Sequence, residues 1–144
     1  NFHTREECMK AIITDLDRTL LHTDKSVSEH TIAVLKKCRN HGILVMAASA
    51  RPLRNILIYN DLIGFDAITA TKWNGIRHML AYFNISPGDA AYFGDDNDDI
   101  EPVKNCGLGV AVSNAIPSVL DVADRIIDSN DMDGVARFIE ENIL

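Results

Sequence analysis

Asp15 and Asp17 stand two residues apart, directly after the apolar, β-branched run Ala11-Ile12-Ile13-Thr14, and Thr19 follows two positions on. In an extended segment, side chains two apart point the same way. Both carboxylates are therefore expected to project together from the end of a buried strand. Carboxylates held this close raise each other's pKa unless a cation sits between them. Two kinds of chemistry use such a pair: a nucleophile beside a proton donor, or a hard metal ion held by oxygen. The plain alternative is a pair of solvated turn aspartates closing an edge strand.

A second acidic segment, Gly94-Asp95-Asp96-Asn97-Asp98-Asp99, follows the apolar run Ala90-Ala91-Tyr92-Phe93. Four carboxylates in six residues repel one another without a counter-ion. A calcium loop needs Gly at its sixth position and Glu at its twelfth. Ile100 and Cys106 occupy those places, so that reading fails. Two further apolar runs end in chemistry-bearing residues. Ile43–Ala48 leads to Ser49 and Ala50, just before a helix start marked by Pro52, where a hydroxyl and exposed amides suit phosphate oxygens. Ala67–Thr71 leads to Lys72, a lone cation among carboxylates. Taken singly, a helix-capping serine and a solvated lysine are the commoner fates of such residues.

The elements that must position these residues alternate. Strands are predicted at Ala11–Thr14, Ile43–Ala48, Ala67–Thr69, Ala90–Phe93, Leu108–Val112 and Arg125–Ile127. Helices are predicted from the Ser28 cap to about His41, from Pro52 to Leu62, and from Asn74 to about Phe83. Three more follow at Ile100–Asn105, Ile116–Val122 and Gly134–Asn142. Strands alternating with helices give an α/β fold, a doubly wound parallel sheet. Ligands of such sheets bind outside the carboxyl ends of the strands, where every motif above falls.

In chain order the motifs read Asp-x-Asp-x-Thr, Ser, Lys and Gly-Asp-x-x-x-Asp. This set resembles the four-motif signature of the haloacid dehalogenase-like phosphatase superfamily, over about Ala11 to Asn142. Gly107–Ala115, which contains Asn114, and Asp131-Met132-Asp133-Gly134-Val135 are similar to its sugar-phosphate phosphatase branch. Two departures stand out: Arg18 where Gly is frequent in the family, and Asp98 where that branch usually has Asn. Both bear on substrate choice or metal geometry.

The resemblance implies a Rossmann-like, three-layer α/β/α core and a phosphatase. Asp15 would be the nucleophile that forms an aspartyl-phosphate, and Asp17 the general acid and then base. Magnesium would be held by Asp15, the Asp17 backbone carbonyl and Asp95, with Asp99 supporting the ion through water or orienting Lys72. Ser49, the Ala50 amide and Lys72 would hold the phosphate oxygens. Thr19 would fix the loop after the strand. Asn114 is either an edge of the site or a simple helix cap.

Enzymes of that branch usually insert a cap domain between the Ser and Lys motifs, whereas one helix and one short strand separate Arg51 from Lys72 here. The other common insertion point, Thr19 to Ser28, holds a short polar loop. Specificity must then come from a partner subunit or from a large substrate, so a phosphorylated small molecule and a phosphorylated macromolecule both stay open. The predicted Pro52–Leu62 helix is apolar nearly all round, which calls for burial within the monomer or against a second copy in a homo-oligomer.

The 144 residues are read as one domain, with 47% hydrophobic and 24% charged residues in ordinary globular proportion. A net charge of −7 argues against a nucleic-acid surface. Cys8, Cys38 and Cys106 are scattered without metal-ligand spacing and read as reduced thiols. No segment reads as a signal peptide or membrane span, and the cytoplasm is the expected compartment. A receiver domain would place its acidic residues in a different order. A phosphotransferase would need a second phosphate-holding element. A non-catalytic binding or scaffold module is opposed by the intact Asp15, Asp17, Lys72 and Asp95.

Overall fold

The structure, a computed structural model, describes residues 6–49, 63–66 and 71–144, with the backbone alone for Glu7 and for 63–66. Six strands form one sheet: β1 (Ala11–Thr14), β2 (Leu44–Ser49), β3 (Ile63–Asp66), β4 (Ala90–Gly94), β5 (Leu108–Val112) and β6 (Arg125–Ile127). All neighbours pair in parallel, in the order β3-β2-β1-β4-β5-β6. The chain builds outward from β1 on one side and then crosses to β4 on the other. That reversal opens a crevice at the carboxyl ends of β1 and β4, the usual ligand position in such sheets.

Strands covered on both faces read as continuous apolar runs rather than alternating ones. All four residues of β1 and all five of β4 are buried accordingly. Phe93 meets Phe138 edge-on, with ring centroids 5.9 Å apart. The edge strand β6 is mostly exposed, with Ile126 among the few exposed large apolar side chains described.

The helices are α1 (Glu29–Asn40), α2 (Lys72–Tyr82), α3 (Ile100–Asn105), α4 (Pro117–Val122) and α5 (Gly134–Phe138), the last continued by a wider turn over Ile139–Ile143. Ser28 caps α1 as expected, accepting from the Thr31 amide at 3.0 Å. Several predicted boundaries move by a residue or more. Helix α2 begins at Lys72 rather than Asn74, because Thr71 is its cap and accepts from the Asn74 amide at 3.1 Å. The third strand is Ile63–Asp66, paired in register with Met46–Ser49. The predicted strand Ala67–Thr69 lies outside the described residues, as do Ala50 and the predicted Pro52–Leu62 helix.

Among the described residues, no helix is long and apolar enough to cross a membrane. All three cysteines are free, and burial raises the Cys38 and Cys106 thiols to about 11 and about 12.

Candidate active site

Strand β1 ends at Thr14, and the Asp15 amide donates to the Phe93 carbonyl of β4 at 2.9 Å. This bond holds the first residue beyond β1 against the neighbouring strand. The chain then turns sharply through Leu16–Leu20, with Asp17 extended and Arg18 left-handed at φ 61°. Side chains other than Gly, Asn and Asp rarely adopt that conformation, which is the physical reason a Gly suits this position. The turn returns Thr19 to the site. Its hydroxyl donates to Asp95 at 2.9 Å and lies 3.5 Å from Asp15, tying the two acidic strand ends together.

Asp99 organises the second acidic segment. It is fully buried, and its two oxygens receive four donors. Oδ2 accepts from the Asp95 and Asp96 amides at 2.9 and 3.1 Å. Oδ1 accepts from Lys72 Nζ at 2.9 Å and from the Tyr92 hydroxyl. A carboxylate so engaged has little capacity left for an ion. A Cβ on Gly94 would meet the Asp99 Cβ and Cγ at 2.5 Å, so only glycine lets Asp99 lie against the strand end.

Lys72, with a side chain only 4% exposed, also lies 3.2 Å from Asp15 and 3.2 Å from Asp98. Burial disfavours its charge, yet Asp15, Asp99 and Asp98 outweigh burial and hold the ammonium above the ordinary lysine value. Burial, followed by the charge of Asp99, pushes the Asp15 carboxyl well above the usual carboxylate range, and Lys72 offsets this incompletely. Asp95 is raised too, by burial first, against the opposing hydrogen bonds from Asp15 and Thr19. These carboxylates are short of positive charge.

Asp15, Asp17, Ser49, Lys72 and Asp95 all line one cavity of about 530 Å³ at the carboxyl ends of the strands. Arg18, Asp96 and Asp98 complete its wall. One carboxylate oxygen from each of Asp15, Asp95 and Asp99 lies within 4.8 Å of the others, a grouping of hard donors that fits a divalent cation. Because Asp99 is occupied by four donors and lies behind the cavity wall, Asp15 and Asp95 are the pair that fit as direct ligands.

The described sequence candidates therefore converge, and Ala50 alone lies outside the described residues. Asn114 is not a helix cap: α4 is capped by Ile116. Its side chain instead donates to the Arg18 carbonyl at 2.9 Å and accepts from the Asn130 amide at 3.1 Å. Two contributors escaped the sequence reading. Tyr92 lies in an apolar run and shows no local sign of its bond to Asp99. Asp98 showed as one carboxylate of the acidic segment and as a departure from the branch, with nothing to place it on Lys72.

An acidic crevice of this kind, on a sheet of this order, defines a class of hydrolase. Residues 12–71 and 66–139 match the model of the haloacid dehalogenase-like hydrolases, and the chain belongs to that family. It is 42% identical over 77 residues to the chloroplastic endoribonuclease YBEY of Arabidopsis thaliana, a stretch covering 54% of this chain and 13% of that protein. Over 67 residues it is 36% identical to the 5-amino-6-(5-phospho-D-ribitylamino)uracil phosphatase YitU of Bacillus subtilis, covering 46% and 25% of the two chains. The matched stretch is thus about a quarter or less of these relatives' length. In fold it is similar to the 3-deoxy-D-manno-octulosonate 8-phosphate phosphatase of Moraxella catarrhalis, solved with magnesium, phosphate and KDO. That likeness has a TM-score of 0.78 at 16% identity, covering 96% of this chain and 90% of the other.

Proposed function

We propose that this chain is a magnesium-dependent phosphomonoester hydrolase that works through an aspartyl-phosphate on Asp15. The observation that carries the proposal is the meeting of Asp15, Asp95 and Lys72 at one cavity with Asp17 on its wall. The family membership and the phosphatases among its relatives support it.

Asp15 and Asp95, with the Asp17 carbonyl, would hold the magnesium, which when bound offsets the charge between an anionic nucleophile and an anionic phosphate. Ser49 and Lys72 hold the non-bridging phosphate oxygens. An Asp15 oxygen forms a bond to phosphorus as the bond to the leaving alcohol breaks, and Asp17 gives that alcohol its proton. Asp17, now a carboxylate, takes a proton from water. The water oxygen bonds to phosphorus, and the Asp15–phosphorus bond breaks to release phosphate. Asp99 does not touch the substrate. It aims Lys72 and ties down the amides beside Asp95.

The test is phosphate release from para-nitrophenyl phosphate with and without magnesium. Asp15→Asn is expected to bring turnover to background, and Asp17→Asn to let a phospho-enzyme accumulate from this good leaving group. Wild-type turnover in Asp15→Asn would end the covalent reading.

A further inference from the structure

Lys72 and Arg18 are the two cations among the described residues that line the cavity. They stand in opposite conditions. Lys72 is buried and committed to three carboxylates at 2.9 to 3.2 Å. Arg18 is exposed at the rim, and among the described residues its guanidinium makes no ion pair or hydrogen bond. This is notable on a wall that also presents Asp17, Asp95, Asp96 and Asp98.

The backbone beneath Arg18 is held in place. The Asn114 amide group grips its carbonyl at 2.9 Å, and Asn114 is itself joined to the Asn130 amide. Asn130 in turn donates to the Leu21 carbonyl at 3.0 Å, so the middle of the turn and the residue that closes it are tied to one strut. The result is a long cation rooted in an unfavourable left-handed residue, fixed at its base and, among the described residues, unpaired at its tip. Stability does not account for an arginine there, since glycine or asparagine would sit in this conformation at less cost. A planar, five-donor fork facing a site for a phosphate monoester is suited to a second oxyanion on the same substrate.

We propose that Arg18 is a specificity residue that binds a second anionic group, a carboxylate or a second phosphate, of the phosphorylated substrate. Asn114 is the positioning residue behind it. The substrate class is then a phosphate monoester with a further acidic group, rather than a neutral sugar phosphate. This rests on the hydrolase reading above.

The experiment compares kcat/KM within two matched pairs: 3-phosphoglycerate against glycerol 3-phosphate, and fructose 1,6-bisphosphate against fructose 6-phosphate. The wild type is expected to favour the more acidic member of at least one pair. The pair that responds shows whether a carboxylate or a phosphate is read. Arg18→Asn, which tolerates the left-handed backbone, is expected to lower that preference about tenfold through KM, and Arg18→Lys to recover part of it. A preference unchanged in Arg18→Asn for both pairs overturns the proposal. Calorimetric binding of the same four compounds to Asp15→Asn, with and without Arg18→Asn, separates the two readings. An Arg18-dependent binding preference without wild-type turnover would retain the anion site and reject the hydrolase. Turnover with no dependence on Arg18 would do the reverse.

Discussion

Asp99 shows how one buried residue can govern a site it never opens onto. Its four donors come from the first turn of α2, the interior of β4 and two amides of the acidic loop. Tyr92→Phe removes one of these donors while keeping the ring that fills the core. Asp99 Oδ1 would keep Lys72 as a partner, so the loss is that of one hydrogen bond to a charged group, about 1–3 kcal/mol. Denaturant titration of Tyr92→Phe should show it, and a variant as stable as wild type would refute the importance of this bond. Arg18 is the opposite case. Arg18→Gly relieves a left-handed strain of about 1–2 kcal/mol and gives back about 0.5–1 kcal/mol in unfolded-chain freedom. Its unfolding free energy should therefore equal or exceed that of the wild type in the same titration.

At the scale of elements, the acidic loop depends on Gly94. In Gly94→Ala the new methyl would lie 2.5 Å from the Asp99 Cβ and Cγ, and Asp99 cannot retreat without releasing Lys72 and two amides. Overpacking of this kind costs about 1–3 kcal/mol, and turnover should fall along with the melting temperature. A Gly94→Ala enzyme with wild-type rate and stability would show that the loop has slack.

A second element-scale contact joins the turn after β1 to the start of α5. His22 Nε2 lies 2.6 Å from Asp133, while Thr23 binds Asp131 through its amide and hydroxyl at 2.8 and 2.7 Å. Burial acts to raise the Asp133 carboxyl, but bonds from His22 and Ser28 prevail and hold it below its ordinary value of 3.8. A depressed carboxylate contributes stability above its unfolded pKa and loses it as pH falls through the folded one. Asp133→Asn keeps the left-handed backbone, which asparagine tolerates. The melting-temperature gap to wild type should therefore be full above about pH 5 and shrink below pH 4. A gap independent of pH would exclude the Asp133 carboxylate and its hydrogen bonds as its source.

At the scale of the whole molecule, one crevice gathers carboxylates from both sides of the switch between β1 and β4. Asp15 and Asp95 are both raised, by burial first and with the charge of Asp99 adding to it. A cation that binds only the folded chain stabilises it by mass action, by about 2.7 kcal/mol at a hundredfold excess over Kd. Magnesium should therefore raise the melting temperature by several degrees. Asp95→Ala should lose that increment. Asp96→Ala should keep it, because Asp96 spends its carboxylate on the Asn97 amide at 2.7 Å. Equal responses of the two variants would show that the ligand is misassigned.

The sequence by itself determined the strands that carry the site. Runs such as Ala11–Thr14 and Leu108–Val112 lack the alternation of polar and apolar residues that a half-exposed strand shows, and burial on both faces satisfies that pattern. It also placed Asp15, Asp17, Ser49 and Asp95 at strand ends, since period-2 geometry and the end of an apolar run are local properties. Lys72 was legible as a residue but not as the first turn of a helix, because the cap that starts α2 competes with a β-branched approach to it. The described third strand, Ile63–Asp66, is set by its pairing with Met46–Ser49, a register that exists only between two strands. Tertiary structure alone decided the bonds of Tyr92 and Lys72 to Asp99, the grip of Asn114 on Arg18 and the closure of His22 on Asp133. Those partners lie 7, 27, 96 and 111 residues apart along the chain. No local pattern encodes such meetings, because they follow from the order in which a parallel sheet stacks its strands.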